Sequence, residues 1–302
     1  MIDRITIYIK DIELDDVKGR LDLLLTGEAK DGSSIYSTQL RNLKITYKGR
    51  SLWIAGSLHK YAKGNNYSLF TYEEAKNVLL ELSAHVGISL EYFVVSSIEL
   101  AVNIQMEKNV EKYLAILHSY KAHPFIYMSP MKGTSKLKGR KCHLAEYTIK
   151  FYDKTFEAIK SLRLPKDRWG EVPDKLLRYE IQLSRKQLKN EGFMNVTGKN
   201  LLSSLHYIRF KRLMNRIFGE ISFDDITINY SGMLEDDVKR YIFAKSERYN
   251  LYLQYIKEEK GKEEYRKERR RTNELFKRVA PLVKGEFESE LKSKVKLAMF
   301  KV

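Results

Sequence analysis

Hydrophobic residues recur at every second position in several stretches of this chain, and a period of two predicts strands. Over residues 4–10, Ile5, Ile7 and Ile9 alternate with Thr6, Tyr8 and Lys10. Residues 43–47 and 52–58 flank Lys48-Gly49-Arg50 and read as a hairpin. In 94–104, Ile98, Leu100, Val102 and Ile104 oppose Ser97, Glu99, Ala101 and Asn103. In 144–157, Ile149 and Phe151 point one way while Thr148, Lys150, Tyr152 and Lys154 point the other. Over Leu176–Ser184, Leu177, Tyr179, Ile181 and Leu183 face inward and Arg178, Glu180, Gln182 and Ser184 outward. A short strand is expected near 125–128.

Helical spacing appears between these strands. Thr71-Tyr72-Glu73-Glu74 is a capping box ahead of Ala75, Val78, Leu79, Leu82 and Val86, with Gly87 as the stop. Val110, Tyr113, Leu114 and Leu117 fit a helix over about 107–120, and 155–164 fits another before a turn-rich break at 165–173. Residues 11–41 are polar and mixed, with Asp31-Gly32-Ser33-Ser34 as loop. From about Leu201 the pattern turns helical. Irregular alternation with a hairpin predicts an α+β fold, its sheet mixed or mainly antiparallel with packed helices, not a doubly wound parallel sheet. That shift divides the chain into a first domain over 1–220 and a basic helical region, a candidate for DNA binding, over 221–302.

Charge adds a partner to this picture. The 302 residues carry 55 Lys+Arg against 39 Asp+Glu, a net +16, which suits a polyanion such as nucleic acid. Residues 129–141 hold Lys132, Lys136, Lys138, Arg140 and Lys141 and no acid. The stretch from 238 holds more than half of the net charge and includes Arg269-Arg270-Arg271. Both segments are candidate phosphate contacts, with a solvated surface as the competing reading. The 20 Tyr and 13 Phe offer rings for base stacking, although most must serve the core. Cys142 is the only cysteine, which excludes a disulfide framework and a cysteine zinc site. Met1-Ile2-Asp3-Arg4 lacks the apolar run of a signal peptide, so a reducing cytosol is the expected compartment. No apolar run approaches the ~20 residues of a membrane span, so no membrane partner is expected.

Tyr152-Asp153-Lys154-Thr155-Phe156-Glu157 reads as Tyr-x-Lys-x-x-Glu. Ser97-Ile98-Glu99-Leu100-Ala101 lies upstream of it and Leu177-Arg178-Tyr179-Glu180-Ile181 downstream. In that order, over roughly 40–190, these segments resemble the motifs of the initiator nickases of rolling-circle replication. The similarity is to the gene II replication proteins of filamentous phages and then to the Rep proteins of small staphylococcal plasmids. Gly56-Ser57-Leu58-His59-Lys60, leading to Gly64-Asn65-Asn66, is more loosely similar to phage-type replication proteins. The sequence departs from the pattern with Ser97 where arginine is frequent and Glu99 where aspartate is. It also lacks the His-x-His pair of many such nickases, as its histidines at 59, 85, 118, 123, 143 and 206 are all separate.

The resemblance implies sequence-specific nicking and rejoining of one DNA strand, with Tyr152 as nucleophile and a 5′-phosphotyrosine intermediate. Glu99 and Glu180, with His59 as a third ligand, would bind Mg²⁺ or Mn²⁺. Lys154 and Arg178 would hold the scissile phosphate. The partner would be a replication origin, single-stranded at the nick, with host helicase and polymerase and a homodimer left open. Two alternatives stand beside this: a relaxase of a mobilisable or conjugative element, and a non-catalytic nucleic-acid-binding protein in which Glu99 and Glu180 are merely solvated. No P-loop is present, so helicase activity is not built in.

Overall fold

The computed structural model describes residues 1–128, 138–225, 233–246, 248–279 and 285–302. The chain opens with β1 (Ile2–Lys10), α1 (Leu14–Lys18), β2 (Leu24–Glu28), β3 (Ser34–Leu40), β4 (Leu43–Lys48) and β5 (Ser51–Ser57). It continues through α2 (Leu58–Lys63), α3 (Tyr72–Val86), β6 (Val94–Gln105), α4 (Val110–Ala115), β7 (Leu117–Tyr120), β8 (His123–Pro124) and β9 (Ile126–Tyr127). Then come β10 (Gly139–His143), β11 (Tyr147–Asp153), α5 (Lys154–Ser161), β12 (Leu176–Ser184), α6 (Arg185–Asn190), α7 (Gly198–Leu201), α8 (Ser204–Gly219) and β13 (Ile221–Phe223). Among the described residues that follow are α9 (Glu235–Lys245), α10 (Arg248–Tyr255), α11 (Gly261–Val279) and α12 (Glu286–Lys301).

The fold is α+β. Ten strands form one sheet in the order β2-β3-β4-β5-β1-β6-β12-β11-β10-β9, and neighbours pair antiparallel throughout. The apolar phase of the central strands is buried, including Ile5, Ile7, Ile98, Leu100, Ile149, Phe151, Tyr179 and Ile181. Helix α8 covers part of that face: Phe218 packs on Phe151 and Tyr179, and the Tyr179 hydroxyl donates to the Met214 carbonyl at 3.1 Å. Burying these side chains is worth roughly 1.5–3 kcal/mol each, which is what fixes the register. Helix α3 starts and stops where its caps predict, with Thr71 and Glu74 forming the capping box and Gly87 left-handed at φ 75°.

The structure corrects three expectations. Residues 11–41 contain a short helix and two strands that extend the sheet; β2 is exposed along its whole length, so no apolar phase announces it. The helix expected over 107–120 stops at Ala115. Leu117 and Tyr120 face inward from β7, which pairs with β13 and β8 in a separate three-stranded sheet. The chain also divides into two compact units, Met1–Phe223 with Leu291–Val302, and Asp224–Glu290. The expected boundary at 220/221 is close to this switch, but the end of α12 belongs with the first unit, and its Leu291, Val295 and Met299 are buried on one helical stripe. The second unit has its own small core of Tyr241, Leu275 and Val279 with Met233 and Phe276. No helix among the described residues is long and apolar enough to cross a membrane.

Candidate active site

Strand register brings the motif residues together on the face opposite α8. Glu99 on β6 sits across from Gln182 on β12, and Glu180 across from Lys150 on β11. Tyr152, two residues beyond Lys150, sits across from Arg178. Side chains two apart share a face, so Glu99, Glu180, Lys150 and Tyr152 converge. Tyr147, five residues before Tyr152, points the other way and donates its hydroxyl to Tyr120 at 3.1 Å.

A third carboxylate joins them from β1. Asp3 is in phase with Ile5, Ile7 and Ile9, so regular alternation would send it to the apolar side. The β1–β6 ladder slips between Ile2, opposite Leu100, and Arg4, opposite Glu99, leaving Asp3 as the extra residue of a bulge. A bulge re-aims one side chain, and here Asp3 turns toward Glu99 and Glu180. Asp3, Glu99 and Glu180 each offer a carboxylate oxygen, and these lie within 4.8 Å of one another. An all-oxygen donor set of three carboxyl groups fits a hard divalent cation such as Mg²⁺ or Mn²⁺.

Charge on the cluster is distributed unevenly. Burial, reinforced by the neighbouring Glu180, holds Glu99 protonated well above the usual carboxylate range despite Lys150. Burial would also raise Glu180, but Arg178 and Lys150 outweigh it and keep this carboxylate ionised. Asp3 is likewise rescued from burial by Arg178 and by hydrogen bonds from Ser57 and Asn66, which hold it down to about 2. The Lys150 ammonium lies 2.6 Å from Glu180 and 3.7 Å from Glu99. Tyr152 donates its hydroxyl to Glu180 Oε2 at 3.1 Å. Burial raises this phenol well above 10, with Arg178 opposing the shift and Glu180, Glu157 and Asp3 adding to it.

The two cations expected to hold phosphate lie elsewhere. Arg178 is 1% exposed and spends its donors on Asp3, on Glu180 at 3.2 Å, on the Asn66 carbonyl at 3.0 Å and on Asn103 at 3.1 Å. It positions two of the three carboxylates and has little left for a substrate. Lys154 is fully buried because the strand ends at Asp153, whose carboxylate caps α5 by accepting from Phe156 N. Its ammonium turns inward to Asn66 Oδ1 at 2.7 Å and to Glu157, 5.9 Å from the Tyr152 ring centre. Burial and the nearby Arg178 lower its pKa, Glu157 opposing. Asn66 is therefore a hub: besides Lys154 and Arg178, it donates to Asp3 at 3.2 Å and accepts from Asn103 at 3.1 Å.

His59 does not join the carboxylate cluster. Its ring stacks on Phe70 at 4.7 Å and its Nε2 lies 3.2 Å from the Ser68 hydroxyl. Burial pushes its pKa down to about 3, more than the Asp3 charge can offset. The segment that contains it does reach the site through Ser57, which donates to Asp3, and through Asn66.

The acids and Tyr152 line one open cavity of about 620 Å³, together with Lys138, Lys150, Arg4, Lys44 and Lys60. Gly139 lies opposite Tyr152 so closely that a Cβ there would stand 2.8 Å from the Tyr152 Cβ. Of the basic loop, Lys138 reaches the cavity while paired with Glu111, and Lys141 shares the Lys150 face. Arg140 instead donates to the Leu117 carbonyl at 2.6 Å and stacks on Tyr127. Lys132 and Lys136 lie outside the described residues. In the second unit, Arg269, Arg270 and Arg271 are all exposed on α11.

No protein-family model and no curated protein matches the chain.

Proposed function

We propose that this chain is a metal-dependent DNA nickase and strand transferase, an initiator of rolling-circle replication that cuts through Tyr152. One observation carries the reading: the Tyr152 hydroxyl is bonded to a member of a three-carboxylate cluster, in a cavity also lined by Arg4, Lys44, Lys60, Lys138 and Lys150. A mere nucleic-acid-binding surface has no use for three clustered acids facing its ligand, since they repel phosphate.

The chemistry follows from the residues. Tyr152 Oη attacks the scissile phosphorus and passes its proton to the ionised Glu180, already its hydrogen-bond acceptor. The P–O3′ bond breaks, the 3′ oxygen takes a proton from water, and the phosphate stays on Tyr152 as a 5′-phosphotyrosine. Rejoining is the same path reversed, so no nucleotide cofactor is needed. Lys150, which lines the cavity on the same strand face as Tyr152, takes the phosphate-holding role in place of Lys154. Asp3, Glu99 and Glu180 would hold Mg²⁺ or Mn²⁺, whose charge would favour the phenolate and offset charge growing on the phosphoryl oxygens.

Covalent capture tests this. With Mg²⁺ or Mn²⁺, the wild-type chain should become attached to the 5′ end of a cleaved strand from random-sequence single-stranded DNA or from its own replicon. Tyr152→Phe keeps the ring and removes the attacking oxygen, so DNA binding should persist and the adduct vanish. An adduct on the Phe variant would sink the assignment, as would a wild type that forms none on its own replicon.

A further inference from the structure

The cavity has a second basic wall that the chemistry above leaves unused. Arg4 on β1, Lys44 on β4 and Lys60 on α2 all line it. Arg4 and Lys44 are exposed and Lys60 is half-buried. None of the three side chains has an ion pair or hydrogen bond to another described residue. The cations beside Tyr152 differ: Lys150 is held by Glu180 and Glu99, and Lys138 by Glu111. Cations without a protein partner that face a cavity are available to an anion at once.

Register gives this wall a direction. Lys44 sits across from Ala55, Ala55 across from Thr6, and Arg4 across from Glu99. Residues Arg4 and Thr6 are two apart, so Lys44, Arg4, Glu99, Glu180 and Tyr152 lie along one face. From β11 to β4 the path crosses β12, β6, β1 and β5, which is five interstrand steps or about 24 Å. That span exceeds a single phosphate, so Lys44, at its far end, is placed for a phosphate beyond the one being cut. In phosphoryl transfer the attacking and leaving oxygens stand roughly in line on opposite sides of phosphorus. Tyr152 attacks from the β11 side, and the departing 3′ oxygen is therefore directed across the acid cluster toward β1 and β4.

We infer that Arg4, Lys44 and Lys60 grip the phosphates of the DNA segment 5′ to the nick, the one that ends in the new 3′-hydroxyl. The inference rests on the nickase reading for its direction. The phosphotyrosine anchors one product covalently, and this wall anchors the other, which keeps the 3′-hydroxyl beside the adduct for rejoining or for extension.

The test uses the full chain and random-sequence single-stranded DNA with one fluorophore at the 5′ end and another at the 3′ end. Cleavage puts the 5′ label on the released 3′-hydroxyl segment and the 3′ label on the adduct. Arg4→Gln, Lys44→Gln and Lys60→Gln should each flatten the log–log salt dependence of binding by about 0.7, and the triple variant by about 2. The fraction of adduct that keeps its 5′-labelled segment and rejoins should fall roughly tenfold in the triple variant, since removing even one charge-assisted hydrogen bond is enough for that. An unchanged salt slope overturns the wall. A flattened slope with full retention of the 5′-labelled segment overturns its direction, and with it the proposal. A wild type that forms no adduct on this DNA or on its own replicon overturns the nickase reading separately, and the salt slope still decides whether the wall binds phosphate. Circular dichroism of each variant excludes misfolding as the cause.

Discussion

Arg178 in the first unit is 1% exposed and gives its donors to Asp3, Glu180, Asn66 and Asn103. Arg269, Arg270 and Arg271 in the second unit stand on α11, where Arg269 reaches the Tyr265 hydroxyl at 3.5 Å and neither neighbour forms an ion pair among the described residues. In the sequence the run of three arginines is the louder signal, and the lone Arg178 is one polar residue in an alternating strand. The structure inverts that ranking for the fold. A buried guanidinium organises two carboxylates and a loop, because a desolvated charge must find partners. A run that stays solvated contributes to folding only weakly.

The sharpest way to break this contrast is Arg178→Met. It leaves Asp3 buried without its cation and Glu180 dependent on Lys150 alone, and it takes a donor from the Asn66 carbonyl. Removing one partner of a buried pair costs about 3–5 kcal/mol, and urea denaturation should show a loss of that size. Arg178→Lys should recover only part of it, since an ammonium cannot reproduce a fork that reaches Asp3, Glu180 and Asn66 at once. A loss below ~1 kcal/mol for the methionine variant would mean that the network is not what holds the polar face of these strands together.

His59 gives a smaller effect of the same origin, since it too is buried. Its pKa is depressed to about 3 in the fold, against roughly 6.5 when unfolded. Between these values the unfolded chain binds a proton that the folded chain does not, so stability must fall as pH drops from about 6.5 toward 3. At about pH 5 the cost is about 2 kcal/mol. His59→Gln should flatten the pH dependence of the denaturation midpoint over that window, whatever it does to stability near neutrality. An unaltered slope would show that the imidazole becomes charged in the fold.

These contrasts mark where sequence reasoning reached. The sheet was legible because Ile98, Leu100, Ile149, Phe151 and Ile181 keep strict alternation, and Glu99, Glu180 and Tyr152 fall on one face for the same reason. Asp3 was hidden by a bulge that reverses its phase; the available signal was an acid standing in step with three isoleucines. Lys154 leaves the expected face because strand alternation ends one residue earlier, at the aspartate that caps α5. Alternation also cannot tell an open polar face from one roofed by a loop, and Arg178 lies under the loop that carries Asn66. Leu117 and Tyr120 suit either a helix or a strand, and only pairing with β13 decides between them.

The smallest effect on folding is expected where the charge is densest, and it completes the comparison. Replacing Arg269, Arg270 and Arg271 with glutamine removes three charges from α11, whose buried side carries Thr272, Leu275 and Val279. Those inward residues are untouched, and glutamine propagates a helix about as well as arginine, so stability should change by no more than about 0.5 kcal/mol. Binding is the discriminating readout. Tyr265, Arg266, Arg269, Arg270 and Lys277 line one shallow groove on this helix, and each arginine that met a phosphate there would displace a counterion from the DNA. Anisotropy titrations on duplex DNA across a salt series should then show a log–log slope flatter by up to about 0.9 for each arginine replaced, equally for unrelated sequences. A flattened slope with unchanged stability would show that solvated arginines here serve the ligand as Arg178 serves the fold. An identical slope would leave α11 as a solvated face and confine phosphate binding to the first unit.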